Sequence, residues 1–372
     1  MKVLITGANG FVGKNLRAHF AERKDIEALT FTRDSPFLAL AGAVASTDFV
    51  FHLAGVNRPK DVAEFTQGNV GLTRALCDAL RLEAKATGRK IPVLYASSIQ
   101  AGRDNPYGAS KLEAEKILQA YQADVGAAVY IYRLPNVFGK WCKPDYNSAV
   151  ATFCHNIARS LPVQINDPAA SVSLVYIDDV IASFMETMQG EASAEAACRV
   201  VPQYSATVGD LVEQIKGFRH SRESLTTARV GIGLARALYS TYLSYLPPDT
   251  FAYELPKYGD ARGVFVEMLK TPDCGQFSYF TAHPGITRGG HYHHTKTEKF
   301  LVIKGQARFG FRHILSNETF EIMTSGETPK IVETVPGWSH DITNIGDDEM
   351  LVMLWANEIF DRERPDTFAH KV

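Results

Sequence analysis

The segment Thr6-Gly-Ala-Asn-Gly-Phe-Val-Gly-Lys14 decides the fold of the first part of the chain. It follows the strand pattern Val3–Thr6 and opens an apolar helical pattern. Glycines at such a junction allow a tight turn and a close approach of a dinucleotide pyrophosphate to the helix N-terminus. Three glycines alone also fit a plain structural turn, but their position between a strand and a helix favours a dinucleotide site.

Strand and helix patterns alternate from the N-terminus to about residue 215. The strand patterns are short and rich in β-branched and aromatic residues, and they are Val3–Thr6, Ala28–Thr32, Phe49–Leu53, Val93–Ser97, Val129–Arg133 and Val172–Ile177. Helical patterns such as Leu112–Ala123 lie between them. This alternation predicts an α/β Rossmann-like fold, a doubly wound parallel sheet covered on both faces. The apolar stretch Phe37–Val56 contains Asp48 and His52, so it is interpreted as a helix end and a buried strand, not as a membrane span.

The pattern changes in the last third of the chain. Residues 216–250 are interpreted as a connector that contains one helical segment, Leu234–Leu246. Beyond it, alternating strand patterns are separated by Gly, Pro and Asp turns, and they are Val264–Leu269, Phe277–Ala282, Phe300–Ile303, Ala307–Phe311 and Leu351–Trp355. These strands predict a small antiparallel barrel or sandwich. We therefore expect two domains, residues 1–245 and residues 250–372.

Composition excludes several classes of function. Of 372 residues, 45% are apolar, which is enough to bury real cores and argues against global disorder. With 39 basic and 41 acidic residues the net charge is -2, so we expect no nucleic-acid partner and no membrane insertion. The five cysteines are scattered, form no Cys-x-x-Cys pair and follow no leader pattern, so we expect reduced thiols in a cytoplasmic protein.

Arg33 bears on the choice of cofactor. It stands about twenty positions after the glycine turn, where NAD-binding proteins usually carry an acid that contacts the ribose. An arginine at this position can pair with a ribose phosphate, so NADPH is favoured over NADH. The alternative is a solvated loop charge.

Tyr107 and Lys111 are the candidate catalytic pair. Asn105 suits a helix N-cap and Pro106 the first helical position, so the four-residue spacing places Tyr107 and Lys111 on one helix face. A neighbouring ammonium favours the phenolate, so the pair can exchange a proton with a substrate oxygen, as hydride transfer requires. The pair alone also fits an exposed surface, but the glycine turn and Ser97-Ser98 favour the functional interpretation.

Together these motifs resemble the extended short-chain dehydrogenase/reductase family that acts on nucleotide sugars. The resemblance covers residues 1 to about 240, and the matching segments are Gly7–Gly13, His52–Gly55, Asn69-Val70, Ser97-Ser98, Tyr107–Lys111, Arg133–Gly139 and Tyr176–Val180. It implies that Tyr107 donates the proton and that Ser98 contacts the substrate oxygen. It also implies that Lys111 adjusts the acidity of Tyr107 and binds the ribose. With Arg33 included, the expected cofactor residues are Gly7, Gly10, Phe11, Val12, Gly13, Arg33, Leu53, Ala54, Gly55, Asn69, Tyr107 and Lys111. The expected substrate residues are Ser97, Arg133, Asn136 and Lys140, although Arg133 by itself also fits a strand-end charge.

Two departures from that family narrow the expected reaction. Dehydratases of the family carry Asp-Glu after the active hydroxyl residue, where this chain has Ile99-Gln100, so a dehydratase is disfavoured. Epimerases that keep NAD bound usually carry an acid at the position of Arg33. A reductase with exchangeable NADPH fits better.

A histidine cluster marks the last third of the chain. The spacing is Gly285-x5-His291-x-His293-x4-Glu298-x6-Gly305, followed by Pro336-Gly337-x2-His340-x3-Asn344. On a strand, His291 and His293 point to the same face, as two ligands of one ion must. The spacing resembles the two motifs of the cupin family, which implies an all-β cupin barrel with His291, His293, Glu298 and His340 as ligands of a divalent metal. Zinc suits such ligands, as do iron, nickel and manganese. A metal-free histidine cluster is the alternative. If an ion is bound, it can either polarise a keto oxygen of the substrate or only stabilise the barrel.

An extended reductase domain followed by a cupin resembles the bifunctional capsular-polysaccharide enzymes of the UDP-N-acetyl-L-fucosamine pathway. The resemblance implies that the cupin epimerises a UDP-linked 4-keto-6-deoxy-N-acetylhexosamine at carbon three. The first domain then reduces the 4-keto group with NADPH to UDP-N-acetyl-6-deoxy-L-talosamine, and we expect a homodimer. Two alternatives stay open, a reductase whose cupin is only a structural or dimerisation module and a non-enzymatic nucleotide sensor. The presence of both Tyr107 and Lys111 disfavours the sensor.

Overall fold

The computed structural model describes residues 1–372 except 58, 60, 192–197, 295 and 336. The chain divides into two compact units, the first formed by Met1–Ile215 and Arg236–Leu246, the second by Lys216–Ala235 and Pro247–Val372. The predicted division into domains 1–245 and 250–372 stays a prediction. Pro336, which belongs to the second predicted metal motif, lies outside the described residues.

A parallel sheet with the strand order β2-β1-β3-β4-β5 forms the centre of the first unit. Its strands are β1 Lys2–Thr6, β2 Glu27–Phe31, β3 Phe49–His52, β4 Val93–Ser98 and β5 Val129–Leu134. Successive strands are added on one side of β1 and then on the other, so a topological switch point lies between β1 and β3. Parallel sheets bind ligands at the carboxyl ends of such strands. The sheet confirms the predicted α/β Rossmann-like fold.

A smaller sheet in the same unit contains β6 Asn136–Phe138, β7 Ser171–Tyr176 and β8 Tyr204–Thr207. β6 and β7 are parallel, whereas β7 and β8 are antiparallel. The predicted strand Val172–Ile177 therefore forms, but it belongs to this sheet and not to the central one.

The helices among the described residues are α1 Phe11–Ala21, α2 Ala39–Ala45, α3 Ala63–Phe65, α4 Leu72–Thr87, α5 Pro106–Val125, α6 Ala149–Ala158, α7 Ile177–Gln189, α8 Val208–Ser224 and α9 Gly233–Ser244, with a π-helical turn at Thr66–Gly71 and a 3-10 turn at Pro248–Thr250. α4 and α5 pack their apolar faces on the buried strands of the central sheet. On one side of the sheet, Leu4, Val50 and Val93 pack in one cluster with Leu76 of α4 and Leu118 of α5. Burial of this apolar surface is the main force that holds the helices on the sheet.

The predicted connector from residue 216 is wrong in its first part, because α8 continues to Ser224. Leu211, Val212, Ile215 and Phe218 are all buried, at the spacing of one helix face. The mixed charges of Arg219–Glu223 therefore belong to the end of an amphipathic helix.

Two antiparallel sheets form the β-structure of the second unit, with the strand orders β16-β13-β18-β11-β10-β9 and β15-β14-β17-β12-β19. Their strands are β9 Tyr258–Asp260, β10 Gly263–Thr271, β11 Gly275–Ala282, β12 Thr287–Tyr292, β13 Glu298–Lys304, β14 Gln306–His313, β15 Thr319–Ser325, β16 Ile331–Glu333, β17 Trp338–Asn344, β18 Met350–Ala356 and β19 Phe368–Ala369. Phe280 and Phe300 of one sheet and Phe309 and Ile342 of the other belong to the same buried cluster. The two sheets confirm the predicted all-β fold. Among the described residues, the structure contains no helix that combines the length and the apolar character of a membrane span.

Candidate functional site

The glycine turn adopts the compact geometry that a dinucleotide site requires. Gly7 has a φ of +70°, and a Cβ atom at this position would lie 2.6 Å from the Cα of Ala54. A Cβ at Gly13 would lie 2.4 Å from the carbonyl oxygen of Gly7. Phe11 and Val12 begin α1, so the free N–H groups of its first turn lie beside the ends of β1 and β3. The segment Leu53–Gly55 follows β3 at the same end of the sheet.

His52 joins the end of β3 to its neighbours. Its Nδ1 lies 2.7 Å from the Thr6 hydroxyl, and its Nε2 lies 2.8 Å from the Thr73 hydroxyl. Burial, assisted by the charge of Lys111, lowers the pKa of His52 to about 3. A neutral imidazole with both nitrogens bonded inside the protein is a structural group, and the adjoining Ala54 N–H also donates to the Thr6 hydroxyl at 3.3 Å.

Asn69 lies in the π-helical turn and is buried. Its Oδ1 accepts the Val56 N–H at 2.7 Å, and its Nδ2 donates to the Val56 carbonyl at 3.2 Å and to the Ser110 hydroxyl at 2.9 Å. The amide thus ties the segment after β3 to α5. A direct cofactor contact of Asn69 stays a prediction.

Tyr107, Lys111 and Ser98 converge at the ends of β4 and α5. The Asn105 side chain accepts the Gly108 N–H at 2.8 Å and Pro106 opens the helix, so α5 begins where the sequence places it. The Ser98 hydroxyl hydrogen-bonds the Tyr107 phenol. Lys111 Nζ donates to the Ala96 carbonyl at 2.9 Å. The structure therefore brings the three predicted catalytic side chains to one end of the sheet.

The electrostatics of this pair differ from the expectation. Burial raises the pKa of Tyr107, and the bond with Ser98 only partly offsets that rise. Burial lowers the pKa of Lys111 to about 8, against a smaller upward effect of Glu115. The ammonium is directed at a carbonyl and lies 4.8 Å from the centre of the Tyr95 ring. Tyr107 is therefore a neutral phenol at pH 7, the form that donates a proton.

A buried carboxylate, Glu115, lies one helical turn after Lys111 and was not predicted. Only 2% of Glu115 is exposed. It accepts the Ser97 hydroxyl at 2.5 Å and the Arg133 guanidinium at 3.0 and 2.6 Å. Ser97 and Arg133, both predicted substrate residues, are paired neighbours on β4 and β5 and share this partner. Their contact with a substrate stays a prediction.

The other predicted substrate and cofactor residues lie elsewhere in the first unit. Asn136 Nδ2 donates to the Ser173 carbonyl at 3.0 Å, and Lys140 pairs with the Asp178 carboxylate. Arg33 is exposed in the turn after β2. The structure thus gives Asn136 and Lys140 protein partners, and it leaves the Arg33 side chain open to solvent.

The four predicted metal ligands meet inside the second unit. One ligand atom from each of His291, His293, Glu298 and His340 lies within 4.8 Å of all the others. His293 Nε2 and His340 Nε2 lie 3.2 and 3.4 Å from the same oxygen, Oε2 of Glu298. His293 Nδ1 bonds the Asp366 carbonyl, which fixes the ring with Nε2 toward the cluster.

The chemistry of this cluster fits a divalent cation. Both ring nitrogens of the buried His340 lack a hydrogen-bond partner among the described residues. Burial alone would raise the pKa of Glu298, but the hydrogen bond from His293, the neighbouring His340 imidazole and the charge of Lys296 hold that pKa well below its usual range. Burial also lowers the pKa of His291 to about 4. A neutral His291 imidazole and an ionised Glu298 carboxylate are the forms of these two side chains that bind a metal.

Two family models match the chain. The one described as the NAD dependent epimerase/dehydratase family matches residues 3–197, and the one described as the polysaccharide biosynthesis C-terminal domain matches residues 258–368. The chain belongs to the NAD-dependent epimerase/dehydratase family. It is 63% identical to UDP-2-acetamido-2,6-beta-L-arabino-hexul-4-ose reductase of Pseudomonas aeruginosa, over 100% of this chain and 99% of that protein.

Solved structures agree with this assignment. The capsular polysaccharide assembling protein CapF of Staphylococcus aureus superposes with a TM-score of 0.92 at 43% identity, over 100% of both chains. UDP-glucuronic acid 4-epimerase of Bacillus cereus superposes with a TM-score of 0.54 at 18% identity, over 66% of this chain and 99% of that one. The second likeness shows the fold alone.

In this member of the epimerase/dehydratase family, the sequence contains one feature that points to a buried role for Glu115. It follows Lys111 at the same four-residue spacing that separates Lys111 from Tyr107. An acid on the buried face of a helix requires a partner. The sequence does not show which strands supply that partner.

Proposed function

We propose that the chain is a bifunctional nucleotide-sugar enzyme that reduces, and first epimerises, a UDP-linked 4-keto sugar for capsule or O-antigen biosynthesis. The convergence of Tyr107, Ser98 and Lys111 beside the glycine turn carries the reductase half. Support comes from the full-length likeness to a protein named as a UDP-sugar reductase. The proposed product is UDP-N-acetyl-6-deoxy-L-talosamine in the UDP-N-acetyl-L-fucosamine route, made by a cytoplasmic homodimer.

The reductase half follows from the state of the side chains. When bound, NADPH supplies the hydride to carbon four, and the glycine turn, Leu53–Gly55 and Arg33 are the residues that would hold it. The Tyr107 phenol donates its proton to the 4-oxygen. The Ser98 hydroxyl orients that oxygen, because its partner Tyr107 lies next to it. The Lys111 ammonium stabilises the phenolate that remains, since an opposite charge nearby favours the ionised form.

The epimerase half is assigned to the second unit. His291, His293, Glu298 and His340 would hold a divalent ion, with zinc favoured by the imidazole and carboxylate donors. Such an ion, when bound, supplies Lewis acidity or rigidity to the barrel. A ketone acidifies the adjacent carbon, so exchange of the proton at carbon three must precede reduction at carbon four. The fusion of the two units places both steps in one chain.

The test is to incubate the purified protein with the UDP-linked 4-keto-6-deoxy-N-acetylhexosamine in deuterated water, with and without NADPH. We expect deuterium at carbon three without NADPH, and NADPH oxidation when it is added. Tyr107→Phe should abolish NADPH oxidation and leave deuterium incorporation intact. Tyr130→Phe, which removes a phenol elsewhere in the first unit, is the matched control and should keep both activities.

Each outcome has a distinct meaning. Loss of both activities in a folded Tyr107→Phe variant contradicts the division of labour between the units. A wild type that oxidises NADPH without incorporating deuterium is a reductase alone, the alternative that the name of the Pseudomonas relative favours.

A further inference from the structure

A cavity of about 720 Å³ opens on the six-stranded sheet of the second unit. Its lining includes Glu298 of the metal cluster together with Glu267, Lys270, Gln276 and Ser278. This volume is in the range of pockets that hold a small ligand. The proposed function uses only Glu298 of these residues, so the other four polar side chains have no assigned role.

The strand register explains why the polar groups share one face of the sheet. Gln276 lies opposite Ala356, and Ala356 lies opposite Glu298 on the next strand. Ser278, two residues after Gln276, lies opposite Glu267. Residues at such positions project on the same side of the sheet. The polar row therefore extends from β10 to the metal cluster.

The carboxylate of Glu267 is held in a fixed orientation. Its Oε1 accepts Gln276 Nε2 at 3.0 Å, and its Oε2 accepts Lys270 Nζ at 3.3 Å. Gln276 is fixed in turn, because its Oε1 accepts the Phe360 N–H at 3.2 Å. A carboxylate offers about four lone-pair sites, so these two bonds leave acceptor capacity for a proton.

Ser278 is a second, independent sign that the cavity takes a polar ligand. The residue is 2% exposed, and its Oγ has no hydrogen-bond partner among the described residues. A buried hydroxyl without a partner is destabilising and calls for a functional explanation. An oxygen of a bound ligand would accept a hydrogen bond from the Ser278 hydroxyl.

We propose that this cavity binds the keto-sugar and that Glu267 is the catalytic base that removes the proton from carbon three. The inference rests on the proposed epimerase half and names its base. The carbon–hydrogen bond breaks, its proton moves to the Glu267 carboxylate, and its electron pair forms the enolate on the 4-oxygen. Ser278 donates a hydrogen bond to that oxygen, and the Lys270 charge lies beside the base. A solvent proton then adds to the opposite face of carbon three, and Glu267 releases its proton to solvent.

The experiment compares deuterium incorporation at carbon three, without NADPH, in the full-length wild type and in Glu267→Gln, Ser278→Ala and Glu333→Gln. Glu333 is the matched control, because it is an exposed carboxylate on β16 of the same sheet. Glu267→Gln should lower the exchange rate at least ~100-fold, the usual contribution of a general base. It should retain the bound metal and the NADPH-dependent reduction of a sugar already epimerised by the wild type. Ser278→Ala should lower kcat/KM for exchange ~3–10-fold, because it removes a hydrogen bond to the developing enolate oxygen. It should cause no loss of thermal stability, because the removed hydroxyl is buried without a partner.

The failure of this inference is distinguishable from that of the proposed function. A wild type without exchange overturns both. Exchange that survives in a folded Glu267→Gln variant overturns this inference alone. If Glu267→Gln loses its metal or its thermal transition, the Ser278→Ala variant decides, and an unchanged kcat/KM for exchange in that variant overturns the proposal.

Discussion

Replacing Arg133 by methionine should destabilise the first unit by leaving a buried carboxylate without its cation. Glu115 lies inside the protein, and the Arg133 guanidinium reaches it through hydrogen bonds of 3.0 and 2.6 Å. The other cation nearby, Lys111, donates to the Ala96 carbonyl. The substitution keeps most of the apolar stem of Arg133, so the change isolates the lost charge and hydrogen bonds.

The magnitude follows from the unequal burial of the two partners. Removing one member of a fully buried pair costs about 3–5 kcal/mol. Here the Glu115 side chain is 2% exposed but the Arg133 side chain is 53% exposed, so water can replace part of the lost contact. We therefore expect a loss of about 2–3 kcal/mol, which lowers the melting temperature of a unit of this size by about 4–12 °C.

The assay is scanning calorimetry of the full-length protein, with Arg81→Met as the matched control. Arg81 pairs with Asp78 and Asp124, whose side chains are 61% and 57% exposed, so its removal should cost less than about 1 kcal/mol. Adding Glu115→Gln to Arg133→Met should recover part of the loss, because the variant no longer buries an unpaired charge. A cost equal to that of the control, without coupling to Glu115, would refute the reasoning. A raised KM for the sugar substrate at unchanged stability would instead support the predicted role of Arg133 as a substrate-binding residue.

Three further predictions concern the cofactor, the proton donor and the metal. Arg33→Asp should raise the KM for NADPH far more than that for NADH, and equal effects in steady-state kinetics would remove Arg33 from the cofactor site. Lys111 has a pKa lowered to about 8, so it loses its charge as the pH rises through that value and the rate of reduction should fall there. Lys111→Arg should shift this limb of the pH–rate profile upward, and a limb that stays in place would exclude Lys111 as its origin. Purified wild type should hold about one metal ion per chain by elemental analysis, as a cluster of this type does. His340→Ala should lose it and the control His283→Ala should keep it, so an ion retained in His340→Ala would contradict the ligand assignment.

Local sequence patterns were enough to predict much of the secondary structure of the first unit. The turn at Gly7 and the start of α5 at Asn105 each depend on residues within one segment. Both features could therefore be predicted from that segment alone. The predicted strands of the central sheet also formed, because a buried parallel strand is a short apolar run. The end of α8 was missed, since mixed charge conceals a helix face that only its packing defines.

Roles that depend on partners far apart in the chain were not predictable. Ser97 and Arg133 matched a family motif, yet the register of β4 and β5 places both on Glu115. Glu267 and Ser278 carry no motif, and a register shift between Glu267 and Leu269 decides which side chains of β10 line the cavity. Such registers depend on hydrogen bonds and packing across strands, which the sequence of one strand does not specify.

The sequence by itself determined the two kinds of architecture, the glycine turn, the Tyr107–Lys111 pair and the candidate metal ligands. The Tyr107–Lys111 pair and the shared face of His291 and His293 follow from spacing within one helix or one strand, where backbone geometry fixes which side chains share a face. The full ligand set with Glu298 and His340 came from the resemblance to the cupin motifs. Only the tertiary structure decided the state and the partners of those groups. Burial raises the pKa of Tyr107 and lowers that of Lys111, and the folded barrel brings His340 and Glu298 together. Desolvation and contacts between distant segments exist only when the chain is folded, and they set the chemistry of this protein.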